Sequence, residues 1–203
     1  MSIHQEILGR IIKGKKGKII FPSDFNDMAN TDAVRQALSR LSKDNILIRL
    51  AHGIYLYPKL DTVLGILYPS TDDLVQAIAK RDKIRVIPTG INALNKLGLS
   101  TQVPMKSIYL TDGRPKTLQA GKRTIIFQTA APKKFATKGQ VSSLVIQALE
   151  ALGKTGTTPE VIDRVTVLLK KEDQRILRED AKHAPSWIAE LLISINNKMT
   201  SYE

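Results

Sequence analysis

Apolar residues fall at Ile3, Ile7, Leu8, Ile11 and Ile12, the spacing of a helix with one buried stripe. Ser2 is placed to cap that helix. Residues 14–18 (GKKGK) break the pattern, and Ile19-Ile20-Phe21 reads as a short strand. Pro22-Ser23-Asp24 then predicts the start of a second, short helix with Phe25 and Met28 turned inward. The helical spacing returns at Val34, Ala37, Leu38 and Leu41. It predicts a helix over 31–43, capped by Asn30 or Thr31, with Asp32 in its electropositive first turn. Ile46–Ile48 and Ile54–Tyr57 are β-rich runs joined through Arg49–Gly53, with His52-Gly53 as the turn.

After Pro58 the rhythm loosens. Residues 61–71 read as a linker, and Thr71 or Asp72 is placed to cap a helix reaching about Lys80. A short strand at 84–88 and a helix over 89–97 follow. Strands at 107–111 and 123–129 flank a turn-rich, basic stretch. Helices are predicted at 139–152, 158–171 (Pro159 at its first position) and 172–182, with a last helix opened by Pro185. The order of elements predicts an α+β protein. Residues 1–60 are expected to form a winged helix-turn-helix. Residues 61–203 are expected to form a mixed α/β domain ending in a helical bundle-like segment.

Charge sharpens this picture. The 203-residue chain carries a net +12, and the excess is uneven. Residues 1–60 hold 10 Lys/Arg against 5 Asp/Glu, residues 61–136 hold 12 against 5, and residues 137–203 hold 9 of each. A polyanionic partner follows from such a surface, because neutralising phosphates releases counterions. The chain has no cysteine, which removes disulfides and thiolate metal sites and suits a reducing cytoplasm. No apolar run approaches the roughly 20 residues that span a bilayer, and no signal peptide is expected.

If Val34, Leu38 and Leu41 face the core, the same helix turns Asp32, Arg35, Gln36, Ser39, Arg40 and Lys43 outward. Arg can pair two hydrogen bonds with guanine and Gln with adenine. Arg35, Gln36, Ser39 and Arg40 are therefore the expected base readers. Lys15, Lys16, Lys18, Thr31, Lys43, Arg49 and His52 are the expected phosphate and wing contacts. The bland alternative is an ordinary solvated helix face; the short helix before it and the basic hairpin after it favour the specific reading. Tyr55 and Tyr57 could stack on a base, but aromatics in a small hairpin usually pack on the core, as does a lone Trp187 on an apolar helix face.

Other chemistry is not encoded in recognisable form. Gly9–Lys16 has the glycine spacing of a phosphate loop, but Lys16 stands where Ser or Thr would hold magnesium. Ala148–Thr155 ends correctly but lacks the first glycine, and both segments follow helices instead of strands. His4, His52 and His183 are isolated, and a helix N-terminus accounts for Asp72-Asp73. No cofactor, metal or catalytic residue is expected.

The N-terminal unit ending in RLAHGIYLYP, the segment TGINALNKLGLSTQVP and the strand pair SIYLTDGRPKTLQAGKRTIIF resemble the AbiE-type antitoxins of bacterial type IV toxin–antitoxin systems. The likeness covers roughly residues 3–130, and the C-terminal helices resemble a short, divergent branch. It implies a cytoplasmic repressor that binds promoter inverted repeats in double-stranded DNA through residues 31–43 and 46–57. It also implies antagonism of a cognate nucleotidyltransferase-like toxin. Two alternatives stay open: a winged-helix protein-interaction module without DNA binding, and an RNA- or nucleotide-acting enzyme using acids such as Asp72, Asp73 or Asp112.

Overall fold

A computed structural model describes residues 2–28, 30–102 and 104–200. Ala29, in the expected inter-helix turn, and Val103, in the TGINALNKLGLSTQVP segment, lie outside the described residues. The molecule is an α+β protein whose chain divides into two compact units, Met1–Lys83 with Leu118–Lys122, and Ile84–Thr117 with Arg123–Glu203. The first unit runs past the boundary expected at residue 60.

In chain order the first unit holds α1 (Ile3–Lys13), β1 (Ile19–Ile20), a 3-10 turn (Pro22–Phe25), α2 (Thr31–Lys43), β2 (Ile48–Ala51), β3 (Ile54–Leu56), β4 (Lys59–Asp61), β5 (Gly65–Leu67) and α3 (Thr71–Asp82). Ser2 caps α1 in a reciprocal box: Gln5 N–H donates to Ser2 Oγ, and Ser2 N–H donates to Gln5 Oε1, each at 3.3 Å. Ile7 and Ile11 are buried as the spacing predicts, but Ile12 is 57% exposed. It lies beyond the edge of the stripe that packs on α2.

The second helix expected at Pro22 is a single 3-10 turn, closed by Phe21 N–H donating to Asp24 Oδ2 at 3.1 Å. Phe25 and Met28 are nonetheless buried. Strands β1, β3 and β2 pair antiparallel in that order. Two further expectations need correction. Residues 59–67 form an antiparallel hairpin, not a linker. The cap of α3 is Ser70, not Thr71 or Asp72, because Ser70 Oγ accepts Asp73 N–H at 3.1 Å while Asp73 Oδ2 accepts Ser70 N–H at 3.1 Å.

The first unit's core joins Ile7, Ile11, Ile20, Phe25, Met28, Val34, Ala37, Leu38, Leu41, Leu47 and Tyr55. Full burial of a side chain such as Leu38 or Leu41 contributes about 1.5–3 kcal/mol.

From Ile84 onward the chain forms β6 (Val86–Pro88), α4 (Ile91–Lys96), β7 (Lys106–Thr111), β8 (Lys116–Ala120), β9 (Arg123–Thr129), α5 (Gln140–Gly156), α6 (Pro159–Leu169), α7 (Gln174–Ala181) and α8 (Ser186–Thr200), all in the second unit except the part of β8 from Leu118, which counts with the first. Here β6 runs antiparallel to β7, and β7 parallel to β9. The strand β8 forms inside the stretch expected to be a turn. Its residues alternate half-buried and exposed, the period of a strand with one covered face. Arg85 links the end of β7 to a 3-10 turn at Pro132–Phe135. Its Nε donates to Asp112 Oδ2 at 2.8 Å and its Nη1 to the Phe135 carbonyl at 3.1 Å. That guanidinium, with the Arg85 N–H, holds the Asp112 carboxyl below the usual carboxylate range.

Helices α5 to α8 share a core of Val145, Ile146, Leu149, Val165, Leu169, Leu177, Ala181, Ile188, Leu192 and Ile195, with Trp187 half-buried against it. The start of α5 is unusual, because Gly139 precedes it and offers no capping side chain. Two carboxylates from elsewhere do the work. Buried Asp180 accepts the N–H groups of Lys138 and Gly139 at 2.8 Å and the Ser142 hydroxyl hydrogen. Glu172 Oε2 accepts the N–H groups of Val141 and Ser142 at 2.8 and 3.0 Å. A Cβ at 139 would lie 2.5 Å from Glu172 Oε2, so a larger residue there displaces the capping carboxylate from the helix start. Gly139→Ala and Asp180→Ala should each lower unfolding stability, the latter by about 2–4 kcal/mol as buried donors lose their acceptor. Urea denaturation followed by circular dichroism measures this, and an unshifted midpoint for both would contradict the cap.

Candidate nucleic-acid interface

Asn30 fixes where α2 begins. Its Oδ1 accepts the N–H groups of Asp32 and Ala33 at 3.1 and 3.0 Å, so two of the four unpaired donors at the helix start are answered locally. Val34, Ala37, Leu38 and Leu41 are buried, as their spacing predicts. The opposite side carries Asp32, Arg35, Gln36, Ser39, Arg40 and Lys43, three or four residues apart and so on one continuous outer stripe. Thr31, Arg35, Gln36, Arg40 and Lys43 are exposed, while Ser39 is half-buried. Arg35 is not idle: its Nη1 lies 3.1 Å from Asp32 Oδ1, with both side chains largely in solvent. That bond uses one of five guanidinium N–H groups and leaves four for a ligand.

The β2–β3 hairpin turns at His52-Gly53, where Gly53 takes a φ of +67° that glycine adopts without strain. Arg49 and His52 are both exposed at this tip, with Arg49 Nη2 3.0 Å from His52 Nδ1. A guanidinium only donates, so Nδ1 is the acceptor in this contact.

The lysines before β1 are anchored by their backbone. Gly17 N–H donates to the Tyr57 carbonyl at 2.7 Å, and Tyr57 N–H donates to the Lys18 carbonyl at 2.9 Å. Lys15, Lys16 and Lys18 are exposed. Lys15 and Lys18 share the wall of a cavity of about 170 Å³ with Arg10, Asp24 and Tyr57. Arg10 is paired with Asp27 at 2.7 Å and Glu6 at 2.8 Å, which raises its own pKa and lowers that of Asp27. Arg10 is therefore a neutralised cation, unlike the lysines beside it.

The structure thus joins the expected residues into three groups: the outer stripe of α2, the hairpin tip, and the lysine turn. The buried sides of α2 and β3 meet in one core through Val34, Leu38, Leu41 and Tyr55. Tyr55 is buried and Tyr57 half-buried against that core, as expected for packing aromatics. Two of the acids considered for an enzyme have structural partners. Asp73 closes the α3 cap and Asp112 holds Arg85. Among the described residues no cluster of three or more His, Cys, Asp or Glu could hold a metal ion. No described helix is long and apolar enough to cross a membrane.

The sequence reading missed the β4–β5 hairpin. Its signal was present: Asp61 and Gly65 bracket three residues between apolar positions, and Gly65 has the left-handed φ of +71° that a three-residue hairpin loop requires.

These features define an α+β protein with a cationic helix, hairpin and lysine turn mounted on the core of its N-terminal unit. The chain belongs to a family described as "Family of unknown function (DUF6088)", which it matches over residues 6–177. No curated protein matches it.

The stripe on α2 depends on where the helix starts. Asn30→Ala should therefore cost about 1 kcal/mol, seen as a lower melting temperature, whereas Asn30→Asp or Asn30→Ser should retain most of it. Equal melting temperatures for Asn30→Ala and the parent would refute the cap.

Proposed function

We propose that this protein is a DNA-binding antitoxin whose N-terminal unit acts as a winged helix-turn-helix. It represses its own operon and antagonises a cognate nucleotidyltransferase-like toxin. The observation that carries the DNA-binding half is the outward stripe of Arg35, Gln36, Ser39 and Arg40 on α2, held on the same core as the Arg49–His52 hairpin. In this reading α2 enters the major groove. Arg35 and Arg40 address guanine O6 and N7, Gln36 addresses adenine, and Ser39 follows either. Thr31, Lys43, the hairpin tip and the Lys15–Lys18 turn hold the phosphates and set the register. Arg35 exchanges Asp32 for a base edge as the helix docks.

The antitoxin half is supported by the resemblance over residues 3–130 and by the charge distribution. The basic excess ends near residue 136, and the neutral remainder suits a protein partner. A pure protein-interaction module is the competing reading; it would show no DNA affinity, or an affinity without dependence on salt.

Arg35→Ala and Arg40→Ala should each weaken operator binding by about 1–3 kcal/mol and relax preference at one base pair. A gel-shift titration in which both variants bind like the parent would remove α2 from the reading role. Lys16→Ala should lower affinity on every sequence and reduce the slope of log affinity against log salt by about 1. A changed base preference in that variant would contradict a phosphate role. For the antitoxin half, co-expression of the neighbouring gene with and without this chain should show growth rescued only in its presence.

A further inference from the structure

The hairpin β4–β5 is an apolar surface with no covering in the monomer. Five of the nine large apolar side chains exposed among the described residues lie within residues 60–68: Leu60 at 69%, Val63 at 88%, Leu64 at 75%, Ile66 at 38% and Tyr68 at 62%. Such clustering is uncommon on a monomeric surface and marks a contact site. The tip is built and not frayed. Asp61 Oδ1 accepts the N–H groups of Val63 and Leu64, each at 2.9 Å, and holds these two side chains outward. Those bonds lower the Asp61 pKa and keep its carboxylate charged. Leu60 stands directly opposite Ile66, so both project from one face.

Charge identifies the occupant. Two copies of a chain with net charge +12 repel one another over most of their surface. Residues 59–68 contain one cation, Lys59, and one anion, Asp61, on either side of Leu60. This arrangement is its own complement. A two-fold axis at Leu60, with the two strands antiparallel, sets Leu60 against the partner's Leu60. It also sets Lys59 beside the partner's Asp61, twice. Closed two-fold dimers use one patch on both subunits in this way.

We propose that the β4–β5 hairpin is the surface through which two copies of this chain form an isologous dimer. Its use in reading two half-sites rests on the function proposed above; the self-association does not. Two reading helices would answer a physical need, because one helix contacts few base pairs while a genome offers about 10⁶–10⁹ competing sites.

Sedimentation of the full chain without DNA tests this directly. The parent should sediment as a dimer at micromolar concentration. Leu60→Asp should sediment as a monomer with an unchanged circular dichroism spectrum, since Leu60 is exposed. Val167→Asp, an exposed apolar position on α6, should stay dimeric. Lys59→Glu should weaken the dimer roughly tenfold by setting like charges together, and Lys59→Arg should retain it. A parent that is monomeric throughout, or a dimer that Leu60→Asp leaves intact, overturns the proposal. If Leu60→Asp breaks a dimer that binds no DNA, the dimer stands and the DNA-reading function falls.

Discussion

A helix begins with N–H groups that have no partner inside it, and this fold is organised by how each start is answered. In α1, α2, α3 and α7 the answer is local, from Ser2, Asn30, Ser70 and Asp173. In α5 it comes from Glu172, in the turn between α6 and α7, and from Asp180 of α7, and so it ties the start of α5 to both. A charged acceptor on buried N–H groups contributes more than a neutral one. Removing it leaves donors that water does not reach. That asymmetry explains why Ser142 and Asp180 can be buried beside a largely apolar core.

The cationic surface of the first unit follows from the same economy of local bonds. Asn30 sets the phase of α2, and the phase decides which residues are buried. Once Val34, Leu38 and Leu41 point inward, Arg35, Gln36 and Arg40 have no other place to go than outward. The Tyr57 bonds to Gly17 and Lys18 likewise fix a lysine-rich turn by backbone alone. Its side chains remain long, solvated and free to follow a polyanion.

The sequence was most legible where hydrophobic period and capping residue agree. The bounds of α2 and its buried face follow directly from residues 30–43, and β3 from Ile54–Leu56, but β2 lies at Ile48–Ala51 and not at the expected Ile46–Ile48, because its strand includes the polar Arg49. It was less legible where a polar residue's role depends on distant chain. Nothing near Gly139 announces that Asp180 will cap it, and nothing in residues 172–182 announces that Glu172 and Asp180 are acceptors for a distant helix start. The β4–β5 hairpin was hidden for another reason: Leu60, Val63, Leu64 and Ile66 are apolar without being core, so they break the alternation that reveals a half-buried strand. Strand β8 was masked by the glycines and proline around it. The chemistry of the α2 stripe was readable as residue types, but the Asp32–Arg35 pair, which occupies one reader, is visible only in three dimensions.

The α5 cap also carries a consequence in time. Asp180 follows Gly139 by 41 residues. At a synthesis rate of about 5–20 residues per second, the first turn of α5 waits roughly 2–8 s for its acceptor to be made. Throughout that interval the N-terminal unit is complete while the second still lacks its keystone. A nascent chain of this protein therefore displays its basic surface before its C-terminal helices can lock.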